Sequence, residues 1–264
     1  MNVAPNGPIG IFDSGLGGLS VLAEVRKQLP GEDLLYFGDS ANAPYGVKSR
    51  QEVRQHSIRV CDHLVSQGAK AVVVACNTAT SAAVADLRKR YDIPIIGMEP
   101  ALKPAVEQTA TGAVAVLATA LTLRESKFQG LLAQFRSGLR IHTLPCPELV
   151  TLVESGTISG EAAATAVRQC LRGLDAETLG AVVLGCTHYV FLRPAFDQVL
   201  QGRTRIIDGN FGTVQQLIRL LASRDQLAPA ERNGTVIIEN SAGEPLIQRS
   251  WMLLNKLGIA EEES

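Results

Sequence analysis

Two hydrophobic rhythms alternate along this chain. Short, unbroken apolar runs occur at Pro8–Phe12 (PIGIF), Leu34–Phe37, Ala71–Ala75 and Ile93–Gly97. Runs of this length, continuous rather than alternating, are expected of parallel strands covered on both faces. Between them, apolar residues recur at three- and four-residue steps. Leu19, Leu22, Val25 and Leu29 predict a helix that Pro30-Gly31 stops. Ser49 with Glu52 is a capping-box signal for a second helix, which turns Val53, Val60, Cys61, Leu64 and Val65 inward and closes at Gly68. A third helix is expected after Cys76-Asn77-Thr78, running to about Arg90.

The pattern then restarts. Ala113–Leu117, Leu139–Leu144, Ala181–Leu184 and Arg205–Ile207 read as strands. Helices are expected through Phe128, Leu131, Leu132 and Phe135 (stopping at Gly138), through Val150, Val153 and Glu154, and around Val167, Cys170, Leu171 and Leu174. The two series keep a nearly constant offset: Ile9 to Val114 is 114 − 9 = 105, Cys76 to Cys186 is 186 − 76 = 110, and Ile95 to Ile206 is 206 − 95 = 111. Strand alternating with helix, twice over, predicts an α/β protein of two similar parallel-sheet domains related by pseudo-symmetry, with the active site in the cleft between them. The expected boundaries are 1–97 plus 210–264 for the first domain and 98–209 for the second. The last strand, Thr235–Glu239, and a helix through Leu246, Leu253, Leu254 and Leu257 fall outside the repeat and are expected to complete the first domain.

The repeat brings chemistry with it. AVVVACNTAT (Ala71–Thr80) and AVVLGCTHYV (Ala181–Val190) each run from buried strand to small residue to cysteine to polar cluster. Ligands of open parallel sheets bind beyond the carboxyl ends of strands. The candidates assigned there are Asp13-Ser14, Pro44-Tyr45-Gly46, Cys76-Asn77-Thr78, Thr119, Thr122, Glu154 and Cys186-Thr187-His188. A free thiol titrates near 8.5, and a position just ahead of a helix favours the thiolate. Two such thiols, one per half, suit an enzyme that removes a proton from one face of a carbon and returns one to the other. Asp13 is the candidate proton partner for Cys76, and His188 for Cys186. The loops are rich in Ser, Thr and Asn and lack Arg and Lys, a lining that suits a small amino acid: hydroxyls and helix-start N–H groups for carboxylate, Asp13 for ammonium. Cys61, among core positions, reads as structural.

Composition narrows the partners. The chain has 264 residues, 46% hydrophobic and 19% charged, with a net charge of −1, so nothing points to nucleic acid or an anionic membrane. No apolar run approaches the roughly 18 residues of a membrane span. MNVAPNGP lacks the pattern of a secretory signal, and five irregularly spaced cysteines suggest free thiols in a reducing cytoplasm. The competing readings are a metal site on Cys186 and His188, a redox dithiol (for which C-x-x-C is missing), pyridoxal chemistry on a lysine, a dinucleotide turn at Gly15–Gly18, and a two-lobed binding protein with inert cysteines.

Four stretches, IGIFDSGLGGLSVL (Ile9–Leu22), GDSANAPYG (Gly38–Gly46), VVACNTAT (Val73–Thr80) and LGCTHY (Leu184–Tyr189), resemble the cofactor-independent aspartate/glutamate racemase family over nearly the whole chain. The resemblance implies interconversion of L- and D-glutamate, with aspartate as the alternative substrate, to supply D-glutamate for bacterial peptidoglycan. It implies Cys76 as the acid/base facing the D-enantiomer and Cys186 as that facing the L-enantiomer. Asp13 and His188 would assist, with Glu154 a further candidate, and Asp13, Ser14, Tyr45, Gly46, Asn77, Thr78, Thr119, Thr187 and His188 would contact substrate. It further implies no cofactor, no metal and a homodimer. The chain departs from the family pattern at Val190, where proline is usual, at Ala118, where glycine is usual, and at Gly209, where serine is common.

Overall fold

A computed structural model describes residues 7–135, 139–175, 177–229 and 231–260. The chain forms two compact units, one running up to Met98 and resuming at Asn210, the other spanning Glu99–Gly209. In the first, β1 (Ile9–Asp13), α1 (Leu19–Gln28), β2 (Leu34–Gly38), α2 (Arg50–Ser66), β3 (Ala71–Val74), α3 (Asn77–Arg90) and β4 (Ile95–Gly97) alternate. The second contains α4 (Leu102–Glu107), β5 (Ala113–Ala118), α5 (Ala120–Arg124), α6 (Ser126–Gln134), β6 (Arg140–Pro145), α7 (Pro147–Glu154), α8 (Gly160–Cys170), β7 (Leu179–Leu184), α9 (Arg193–Leu200) and β8 (Arg205–Asp208). The chain then returns to the first unit with α10 (Asn210–Ala222), β9 (Val236–Asn240) and α11 (Glu244–Lys256). The Gly138 stop expected for α6 lies outside the described residues.

Among the described residues the strand pairs are all parallel, in the orders β4-β3-β1-β2-β9 and β6-β5-β7-β8. Reversed, the second order superimposes on the first four strands of the other sheet, and the registers agree. Ile9 pairs Ala71 where Val114 pairs Ala181, and Val72 pairs Ile95 where Val182 pairs Ile206. The sequence offsets of 105, 110 and 111 are therefore offsets between equivalent ladder positions. β9 has no counterpart in the second sheet among the described residues and extends the first beyond β2.

Burial explains the strand composition. Every residue of β1, β3 and β5 is buried, and each fully buried valine contributes about 1.5–3 kcal/mol relative to exposure. In the second unit, Val114, Val116, Ala181 and Val183 form a core with Leu102, Ala105, Leu123 and Phe128. β6, an edge strand, has no buried residue and lies one position later than its apolar residues suggest. The capping box of α2 is present: Ser49 Oγ accepts from Glu52 N, and the Glu52 carboxylate from Ser49 N. The same helix ends at Gly68, whose φ of +82° lets Gly68 N and Ala69 N return to the Val65 and Leu64 carbonyls. Among the described residues no helix is long and apolar enough to cross a membrane.

Candidate active site

In the first unit the polar cluster gathers where β1, β2 and β3 end. Asp13, the last residue of β1, is wholly buried. A carboxylate in such a place is costly unless hydrogen-bonded. Gly15 N donates to its Oδ1 at 3.0 Å and Ser14 Oγ at 3.3 Å. The turn that makes this possible needs Gly18, because a Cβ there would lie 2.6 Å from that of Asp13. Tyr36, on β2, ties the same turn down by donating its hydroxyl to the Gly15 carbonyl at 2.6 Å.

Cys76, 5% exposed, is the N-cap of α3. Its Sγ accepts from Ala79 N at 3.4 Å, so the sulfur takes the place of the usual capping oxygen on one of the orphan donors of a 14-residue helix. A thiolate gains there both from that donor and from the positive end of the helix dipole. Its S–H reaches Ser14 Oγ at 3.7 Å, and Ser14 in turn donates to Asp13. A hydrogen-bonded path thus links Cys76, Ser14 and Asp13. Asn77 and Thr78 open α3 and are buried, and the Asn77 Oδ1 has no hydrogen-bond partner among the described residues.

Tyr45 is buried in a short 3₁₀ turn, Tyr45–Val47, that follows a cis peptide at Ala43-Pro44. Its hydroxyl donates to Asp39 Oδ2 at 2.6 Å. Burial, and then the neighbouring Asp39 charge, pushes the phenol far above its ordinary range, so it stays a neutral donor. Asp39, completely buried, also receives Asn42 at 2.9 Å and Arg59 at 3.0 and 3.2 Å, and its own N–H donates to the Asp13 carbonyl. Asp39 was not among the residues singled out from sequence. The available signal was an acid directly after a strand and six residues before a tyrosine. Of the neighbouring candidates, Pro44 is exposed and Gly46 half-buried.

In the second unit Cys186, 7% exposed, holds the place equivalent to Cys76, two residues beyond the end of β7. An α-helix does not follow it directly. Thr187–Leu192 is a 3₁₀ turn, and α9 begins only at Arg193. The expected helix-start environment is therefore replaced by an imidazole. Cys186 Sγ lies 3.7 Å from His188 Nδ1, and His188 Nε2 lies 2.6 Å from Glu154 Oε1. Burial alone would lower the His188 pKa, but the ring's hydrogen bonds to Cys186 and Glu154, and their charge, outweigh it and hold the ring well above its usual range. Glu154 is the last residue of α7, not a strand-end residue, and it reaches the site by pointing at His188.

Thr119 follows β5 as the N-cap of α5. Its Oγ1 accepts from Thr122 N at 3.2 Å and donates to the Thr122 hydroxyl at 3.0 Å. The two threonines thus form one capping unit, in which Thr122 is completely buried. Thr187 is buried beside His188 in the turn after Cys186. Cys61 is buried in α2, and loss of hydration pushes its thiol up, as befits a core residue.

Comparison with known proteins shows what this arrangement resembles. The family profile described as Asp/Glu/Hydantoin racemase matches residues 9–217. A glutamate racemase of Bifidobacterium animalis subsp. lactis is 49% identical over 253 residues, covering 94% of this chain and 98% of that protein. One from Clostridium botulinum is 47% identical over 249 residues, covering 94% and 97%. Among solved structures, Escherichia coli glutamate racemase in complex with L-glutamate and the activator UDP-MurNAc-Ala aligns with a TM-score of 0.83 at 32% identity, covering 95% of each chain. The Thermus thermophilus glutamate racemase in complex with β-chloro-D-alanine aligns at 0.80 with 36% identity, covering 98% of this chain and 95% of that one.

Proposed function

The chain belongs to the Asp/Glu/hydantoin racemase family of isomerases, and on that premise we infer that it interconverts L- and D-glutamate with one thiol serving each face of the α-carbon. The observation that carries the reading is the pair of thiols at equivalent ladder ends of two sheets, each backed by a proton-bearing partner. In the L-to-D direction the Cys186 thiolate takes the α-proton, and the Cys76 thiol gives up its own to the opposite face. One thiolate becomes a thiol and one thiol a thiolate, so charge is conserved through the step. Return to the starting state needs only proton exchange with water.

The partners divide the work. His188, held charged by Glu154, stands 3.7 Å from the Cys186 sulfur and passes protons to and from it. Asp13, reached through Ser14, is the station that takes a proton from Cys76 and returns it. Removal of the α-proton puts negative charge on the α-carbon that spreads into the α-carboxylate, and the hydroxyl and N–H groups of Ser14, Asn77, Thr78, Thr119, Thr122 and Thr187 are the candidates to stabilise it. Tyr45 and Gly46, with Pro44 shaping the turn, belong to the same substrate wall. The protein acts in the cytoplasm as a homodimer and supplies D-glutamate for peptidoglycan.

The test is incubation with L-glutamate in deuterium oxide. Formation of D-glutamate carrying deuterium at the α-carbon is the expected result. Tight binding without exchange would make this a binding protein. L-aspartate, run in parallel, checks substrate choice: one methylene is worth about 1–3 kcal/mol, so glutamate should be preferred by about 10- to 200-fold.

A further inference from the structure

Away from the candidate active site, the second unit holds a cluster that the racemisation chemistry does not use. Cys146 is the residue between β6 and α7, Glu148 lies in the first turn of α7, and Cys170 closes α8. Their two sulfurs and one carboxylate oxygen all lie within 4.8 Å of one another, with Cys170 Sγ donating to Glu148 Oε1 at 3.0 Å. Both thiols are buried, while Glu148 is exposed, so the group has a protein side and a solvent side. We propose that Cys146, Glu148 and Cys170 form a binding site for a thiophilic divalent cation of the zinc type.

The donor set and spacing suit that class of ion. Zinc takes thiolate at about 2.3 Å and carboxylate oxygen at about 2.0–2.2 Å, and in a tetrahedron this puts ligand atoms roughly 3.5–3.8 Å apart. The cluster needs only small side-chain adjustments to reach that separation. Two sulfurs disfavour magnesium or calcium, which want oxygen. The exposed side leaves the fourth position to water. Without a cation, the Cys146 contact first, then burial and Glu148, hold the Cys170 thiol far above its ordinary value. A bound dication reverses that balance, expelling both thiol protons to solvent and leaving two thiolates and a carboxylate around it.

The site would fasten the start of α7 to the end of α8. The other end of α7 carries Glu154, the partner of His188, and Tyr189, which follows His188, donates its hydroxyl to the Cys146 carbonyl at 2.8 Å. Occupancy would therefore stiffen the frame behind the imidazole without touching it.

Cobalt(II) is the probe, titrated into reduced full-length protein in which Cys76→Ser and Cys186→Ser remove the other polar thiol stations. One equivalent per chain should produce the sulfur-to-cobalt charge-transfer absorption of a dithiolate site, with release of two protons. Zinc should displace the cobalt and raise Tm. Cys146→Ser and Cys170→Ser should each abolish the absorption. Glu148→Gln, a change at an exposed side chain that spares the fold, should weaken cobalt binding by about tenfold or more. Absence of the absorption with both cysteines intact and reduced overturns the proposal, as does absorption that survives in the Cys146→Ser/Cys170→Ser protein or an affinity unmoved by Glu148→Gln.

Discussion

The two thiol stations share a scaffold and differ in what stands behind the sulfur. In the first unit Cys76 caps a 14-residue helix and leans on a hydroxyl that leads to a buried carboxylate. In the second, Cys186 precedes a 3₁₀ turn and leans on an imidazole braced by a half-covered carboxylate. The strand registers are conserved between the halves while the proton-handling groups are not. Parallel ladders fix where a strand-end residue sits to within one position, whereas the loop beyond is free to vary in sequence. Duplication of a scaffold therefore places two sulfurs alike and leaves each half to set its own acid/base partner.

Removing either sulfur tests what the halves have in common. Cys76→Ser and Cys186→Ser should each lower kcat for racemisation by at least about 10²–10⁴-fold, the range of a positioned acid/base, with native circular dichroism retained. Full activity in either variant would exclude a two-thiol relay.

Asp13→Asn and His188→Asn probe the asymmetry, with a smaller effect. Racemisation has an equilibrium constant of one, so kcat/KM must fall equally in both directions in each variant. The difference should appear in the isotope effect from substrate deuterated at the α-carbon. His188→Asn slows transfer at Cys186, so the effect should grow with L-glutamate and shrink with D-glutamate. Asp13→Asn should do the reverse. Identical changes in the two variants would mean that the partners are not divided between the faces.

Glu154→Gln should give the smallest change, about 10- to 100-fold in kcat/KM, from loss of one charge-assisted hydrogen bond. It should also bring the His188 pKa down, measurable by NMR titration. Because the folded pKa of His188 is raised, its pairing stabilises the protein fully below the unfolded value of about 6.5. That stabilisation is lost as pH rises through the elevated folded value. The stability gap between wild type and Glu154→Gln should accordingly be widest on the acid side and close as pH climbs through that range.

Much of this is legible in the residue pattern alone. β1, β3, β5 and β7 announce themselves because strands buried on both faces tolerate almost nothing but Val, Ile, Ala and Leu. Ser49, Glu52 and Gly68 mark the ends of α2 by local hydrogen bonding that tertiary context does not alter. Less visible in that pattern are α4, α5, α9 and α10. α4 carries Pro104 and α5 spans only five residues, too short for a helical period to show. The turn Thr187–Leu192 is nearly all buried, so its composition does not distinguish 3₁₀ from α.

At the site, the sequence showed which residues stand at strand ends but not how they connect. Ser14 as the link between Cys76 and Asp13, and Glu154 reaching His188 across 34 positions, depend on packing. So do Asp39 as the anchor for Tyr45 and the buried Lys70–Glu32 ion pair at 2.7 Å, since a lone charge in a sequence gives no sign of its distant partner.

The placement of β9 has a bearing on how the protein is made. Glu99–Gly209 is one uninterrupted stretch, so the ribosome delivers everything that unit needs before the first unit has its last strand. Until Asn240 emerges, β2 is an unprotected flank of the earlier sheet, open to mispairing with other nascent chains. The half that begins first is thus the half that finishes last, and truncation near the carboxyl end damages the amino-terminal sheet.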